Sequence, residues 1–75
     1  MDLYELRPGD KVRTAENNIA EIVAPTVDGE WIRVRYTASE DAPELIETED
    51  LCSEDEIVEL IRRKRAGGQP PGSGN

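Results

Sequence analysis

Apolar and polar positions alternate along three stretches of the chain, and a fourth stretch carries a longer period. Lys11-Val12-Arg13-Thr14 has the period of two expected of a half-buried strand. Ile19-Ala20-Glu21-Ile22-Val23-Ala24 is mostly apolar and ends at Pro25, which has no N–H to give to a ladder. Trp31 to Thr37 is the clearest strand. Its pattern places Ile32, Val34 and Tyr36 on one face and Trp31, Arg33, Arg35 and Thr37 on the other. Turn signals separate these stretches. Pro8-Gly9 presets a tight turn before the first, Asn17-Asn18 tolerates left-handed backbone before the second, and Asp28-Gly29 marks a hairpin loop before the third. After a loop from Ala38 to Pro43, Glu44 to Thr48 reads as a short fourth strand.

From Ser53 onward the period lengthens. Ile57, Leu60 and Ile61 share the i, i+3, i+4 spacing of a helix face, with Val58 at its margin. Ser53 and Glu56 have capping-box spacing. Glu54, Asp55 and Glu56 would sit in a first turn, and Arg62, Arg63, Lys64 and Arg65 in a last one, each complementing the helix dipole. The pattern predicts a helix over 53–65 whose apolar stripe docks on the sheet or on a partner. Residues 66–75 hold glycine and proline with nothing large to bury, and are expected to form a disordered tail. The expected core is Val12, Ile19, Ile22, Ile32, Val34, Tyr36, Leu45, Ile57, Leu60 and Ile61. The expected organisation is one domain over 1–65 with the tail beyond it.

The chain has 75 residues and a net charge of −8, enough for a single thin core. Its charge is segregated. Residues 1–36 carry net −2, residues 37–60 carry ten acids and no base, and residues 61–75 carry four bases and no acid. This acidity argues against direct binding of nucleic acid or anionic lipid, because phosphate neutralisation needs a surplus of bases. No apolar run approaches the length of a membrane span, so no membrane association is expected. Met1 to Glu5 has neither the basic nor the apolar region of a secretory signal, and a reduced, cytoplasmic setting is the expectation.

Chemistry is sparse. With no histidine and one cysteine, Cys52, the chain lacks the commonest acid–base side chain and any zinc set. No catalytic residue, metal ligand or cofactor is expected, and the chain does not read as an enzyme. The acids around Glu40, Asp41, Glu47, Glu49 and Asp50 do not follow calcium-loop spacing; they read as a solvated face, with a basic partner surface as the other possibility. The Arg62–Arg65 run reads as dipole complementation ahead of a nucleic-acid or localisation patch. Cys52, just before the expected N-cap, reads as a buried staple against Ile57, since a nucleophile would want a histidine. The best site candidate is the row Trp31, Arg33, Arg35 and Thr37. Exposed, it would form a contact surface for a protein partner. Otherwise the arginines pair with neighbouring glutamates and the tryptophan covers one end of the fold.

Arg7-Pro8-Gly9-Asp10-Lys11-Val12, the strand from Ile19 to Ala24, Asp28-Gly29 and the strand from Trp31 to Thr37 together resemble the small SH3-like barrels, such as the KOW, Tudor and CarD N-terminal modules. The resemblance covers residues 6 to about 50. It implies a mostly β fold, a small antiparallel barrel of four or five strands, with the C-terminal helix as an appended element. It also implies a binding platform. The chain lacks the basic surface of nucleic-acid KOW domains, and Tyr4, Trp31 and Tyr36 are too few aromatics for a methyl-lysine cage. The expected function is a non-enzymatic protein-binding module, an accessory factor in transcription or translation. The alternative is an acidic inhibitor or nucleic-acid mimic that occupies a basic groove, suggested by the ten-acid block.

Overall fold

The computed structural model describes residues 1–63, and these form a single five-stranded antiparallel sheet. The strands are β1 (Lys11–Thr14), β2 (Ile19–Ile22), β3 (Trp31–Ala38), β4 (Glu49–Ser53) and β5 (Ile57–Arg62), in the spatial order β4-β3-β2-β1-β5. Short 3-10 turns occupy Leu3–Glu5, Pro43–Leu45 and Glu54–Glu56.

The turns follow from their residues. Pro8 and Gly9 make the entry to β1, with Gly9 at φ 96, where a side chain would be strained. The turn is fixed by Asp10 N–H donating to the Arg7 carbonyl at 3.0 Å and Arg7 N–H donating to the Asp10 carboxylate at 3.0 Å. Asp10 is fully buried in this arrangement. Asn17 takes the left-handed conformation, φ 66, and reverses the chain between β1 and β2. Thr14 Oγ1 accepts from Asn18 N–H at 3.1 Å within the same turn.

β1 has the predicted bounds, β2 is shorter than its apolar run, and β3 extends one residue further than expected. β3 buries Ile32, Val34 and Tyr36 and exposes Trp31, Arg33 and Arg35, as its alternation requires. The fourth strand is displaced from its expected place. Residues 44–48 do not form it, because Pro43 starts a 3-10 turn and Glu47 adopts φ 73. Neither conformation belongs in a ladder. The strand forms at Glu49–Ser53, paired in unbroken register with β3 from Arg35↔Glu49 to Trp31↔Ser53.

The expected helix over 53–65 is absent from the described residues. Its start signal is real: the Glu56 carboxylate accepts from Ser53 N–H at 2.8 Å. That cap serves only the single turn Glu54–Glu56, after which the chain extends as β5 and pairs with β1. Two considerations favour the strand. Ile57, Val58 and Ile61 are β-branched and lose rotamer freedom in a helix. A helix this short would be marginal, and it would leave the β1 edge unpaired. The three-residue apolar spacing fits a strand because β5 is bulged twice. Thr14 faces Ile57 while Arg13 faces Glu59, and Val12 faces Leu60 while Lys11 faces Arg62. Val58 and Ile61 are the extra residues. Each bulge resets the parity, so Ile57 and Leu60 both turn inward although they are three apart.

The core is Leu3, Leu6, Val12, Ala20, Ile22, Ile32, Val34, Tyr36, Cys52 and Ile57, with Leu45 and Leu60 packed against it. Ile61 is 43% exposed and Ile19 half-buried, so neither is the core residue its hydrophobicity suggested. Leu3 and Leu6 enter from the N-terminal 3-10 turn, whose Asp2 carboxylate accepts from Tyr4 N–H at 3.0 Å. The sheet does not close into a barrel, but it must curl. Laid flat, five strands would separate β4 from β5 by about 19 Å. The 3-10 turn joining them advances only about 2 Å per residue. The Glu56 carbonyl accepts from Ala15 N–H at 2.8 Å, which ties this link to the β1–β2 turn. The expected tail over 66–75 lies outside the described residues, as do Lys64 and Arg65.

Burial of Ile57 and exposure of Ile61 separate this strand from a helix experimentally. Ile57→Ala should destabilise the protein by about 2–4 kcal/mol in urea unfolding. Ile61→Ala should cost less than about 1 kcal/mol. Equal losses at the two positions would indicate a common buried helical stripe and contradict the bulged strand.

Candidate functional site

β3 carries the predicted row, and the loop before it sets where the row begins. The Asp28 carboxylate accepts from Glu30 N–H at 2.9 Å and from Trp31 N–H at 3.3 Å. These backbone bonds, Glu30 first, hold its carboxyl below the ordinary value. Thr26 Oγ1 accepts from Gly29 N–H at 2.9 Å and donates to the Trp31 carbonyl at 2.7 Å. Gly29 sits at φ 79, and the Tyr4 ring lies so close that an added Cβ would meet it at 2.6 Å. The Trp31 backbone is thereby fixed from two side chains.

The four residues lie on one face but have different surroundings. Trp31 is 48% exposed. Opposite and diagonal to it on β4 stand Ser53 and Leu51, and Leu51 is 50% exposed. Arg33 faces Leu51 across the ladder and reaches Glu49 at 3.5 Å. Arg35 stands between Glu49 and Glu21 and lies 3.9 Å from the latter. These are long, solvent-exposed pairs, and such pairs contribute little to stability. Thr37 is half-buried and donates to the Ile19 carbonyl at 3.3 Å, which makes it a structural residue of the β2–β3 seam. The arginines find glutamates on adjacent strands, while Trp31 is half in solvent beside Ser53, Glu54 and Asp55.

Two depressions flank the row. One, of about 460 Å³, is lined by Glu21, Arg35, Tyr36, Thr37, Ile46 and Glu47. The other, of about 150 Å³, lies between Trp31 and Glu30, Ser53, Glu54 and Asp55. Trp31 is thus an aromatic side chain at the margin of an acidic rim. Leu51 is the residue that sequence reasoning missed. The signal was a lone apolar residue among acids in Thr48-Glu49-Asp50-Leu51, unreadable while the fourth strand was placed at 44–48.

Cys52 points to the other face and is buried beside Tyr36. Burial, then the Glu56 carboxylate, push its thiol up to about 11. Burial, then Cys52 and Asp50, raise the Tyr36 phenol too. The phenol donates to the Asp50 carboxylate at 3.3 Å. A buried thiol beside carboxylates is the reverse of an activated nucleophile. Among the described residues, no group of three or more acids or cysteine could hold a metal ion. No helix there is long and apolar enough to cross a membrane.

No family model matches the chain, and neither a curated protein nor a solved structure matches it.

The buried thiol has a checkable signature. A thiol reagent should modify Cys52 only as fast as the protein unfolds, because the sulfur is both enclosed and protonated. The proton is held more tightly in the folded state than in the unfolded one, so its stabilisation is intact below about pH 9 and is lost as pH rises toward about 11. Chemical denaturation across that range should show the decline, made shallower by Cys52→Ala. Rapid modification of the folded protein at pH 7 would contradict the assignment.

Proposed function

We propose that this chain is a non-enzymatic protein-binding module that grips its partner with the outer face of β3 and β4. Trp31 carries the reading. This tryptophan is held in place by its own loop, stands half in solvent and is flanked by exposed Leu51 and Arg33. Tryptophan and arginine are also the side chains that contribute most at protein interfaces. An antiparallel face with its polar pairs only loosely engaged gives up little on desolvation when a partner covers it. Arg35 extends the face toward the depression beside Ile46, and Thr37 holds the β2 seam beneath it.

The curled antiparallel sheet is in keeping with the SH3-like modules that the sequence resembles, and those modules are platforms for partners. An accessory role in transcription or translation is the setting that resemblance suggests. The mimic reading is weaker, because Arg33 and Arg35 interrupt the acidic surface where a basic groove would have to seat.

Trp31→Ala and Arg33→Ala test the module. Each should leave urea stability within about 1 kcal/mol of the parent. Captured partners should bind at least tenfold more weakly to Trp31→Ala, in line with interface tryptophans. Unchanged capture of every partner by both variants would refute the proposal.

A further inference from the structure

The two edges of the sheet differ. β5 is bulged twice along its pairing with β1, so its outer side cannot present evenly spaced donors and acceptors. β4 pairs with β3 through five consecutive residues without a break, and no strand lies on its other side among the described residues. A regular, unpaired edge is a template for another chain.

The direction of its backbone groups can be worked out. Tyr36 exchanges backbone bonds with the segment leading into β4: its N–H donates to the Thr48 carbonyl at 3.0 Å, and its carbonyl accepts from Glu47 N–H at 2.7 Å. Arg33 instead accepts from Val23 on the β2 side, at 2.9 Å. Even-numbered residues of β3 therefore bond to β4, and their partners Cys52 and Asp50 spend their backbone groups inward. Glu49, Leu51 and Ser53 turn theirs outward. Two of those outward N–H groups are held by carboxylates of the chain itself. Leu51 N–H donates to Asp50 Oδ1 at 2.8 Å, and Ser53 N–H donates to Glu56 Oε1 at 2.8 Å.

We propose that the outer edge of β4 is the docking strand for an extended, basic segment of a partner protein. The partner's alternate apolar side chains lie against Trp31 and Leu51, and its lysines or arginines meet the acids around the edge. The proposal rests on the binding-module reading and names the partner class for it. Charge complementarity selects the occupant. Glu30, Glu54 and Asp55 line the depression beside Trp31, and Glu49 shares the Leu51 face of β4, where it pairs with Arg33. The amide caps supply the exchange. An incoming backbone carbonyl takes each outward N–H, and the released carboxylate turns to a cation of the incoming segment. Extended neutral or acidic segments would displace the same carboxylates without offering them a partner. Strand addition supplies affinity through main-chain bonds and specificity through alternate side chains.

The test uses the full chain, labelled with 15N, and an alternating lysine–valine octapeptide. Two control peptides accompany it. One carries the same sequence with N-methyl groups on alternate residues, and the other has glutamate in place of lysine. The parent peptide should shift the Leu51 and Ser53 amides, slow their hydrogen exchange, and alter Trp31 fluorescence. Raising salt from low to high should weaken binding about tenfold or more. N-methylation and the lysine-to-glutamate exchange should each abolish the slowed exchange. Equal binding of the N-methylated peptide, protection at β5 in place of β4, or no shift at millimolar peptide would overturn the proposal. Shifts confined to the Trp31 side chain and β3 face, without protection of β4 amides, would sink the edge proposal and leave the binding module standing. A Trp31→Ala variant that still gains β4 protection while capturing every partner unchanged would uphold the edge and sink the face.

Discussion

Three residues, Glu54 to Glu56, join the two outermost strands of a five-stranded sheet, and most of the molecule depends on that shortness. So short a link forces the sheet to bend until its edges approach. The bend turns one face inward, where Val12, Ala20, Ile22, Ile32, Val34, Cys52 and Ile57 meet. It also delivers β5 to β1, which would otherwise be an unpaired edge. Glu56 is central to the joint. Its carboxylate takes Ser53 N–H and its carbonyl takes Ala15 N–H, so one residue fastens the end of β4 to the β1–β2 turn.

A core this small leaves the other face with little structural duty. The outward row of β3 is held by two long ion pairs and one hydroxyl bond, each worth little on its own. Stability therefore resides mainly on the concave side, where the buried apolar residues meet. Trp31 and Leu51 stand half-exposed on the convex side. The acidic block takes on a shape here that the linear sequence does not show. The turn after β4 sets Glu54 and Asp55 beside Trp31, while Asp50 and Glu56 hold the outward amides of the edge.

Strands β1 to β3 are legible in the sequence because each has a short-period pattern bounded by a turn with its own chemistry, at Pro8-Gly9, Asn17-Asn18 and Asp28-Gly29. The row Trp31, Arg33, Arg35 and Thr37 is legible for the same reason, since parity along one strand needs no tertiary information. The half of the chain after Thr37 is not. Glu47 in left-handed backbone displaces β4, and no local rule places a glutamate there. The stretch from Ile57 to Arg62 carries a helical period because two bulges shift its parity, and bulges depend on the partner strand. The Ser53–Glu56 capping box is present, but such a box specifies a single turn and leaves the conformation of later residues open. Leu51 and the β4 edge become visible as parts of a site only once β4 has its proper bounds.

How residues 57 to 62 meet β1 decides whether the sheet curls at all. Nuclear Overhauser contacts in the intact protein measure this directly. Cross-strand contacts of Arg13 with Glu59 and of Val12 with Leu60, with Ile57 next to Thr14, are the predicted result. Sequential i to i+3 contacts from Ile57 through Leu60, with no contact to β1, would show a helix in that place and contradict the curled sheet on which the proposed binding face depends.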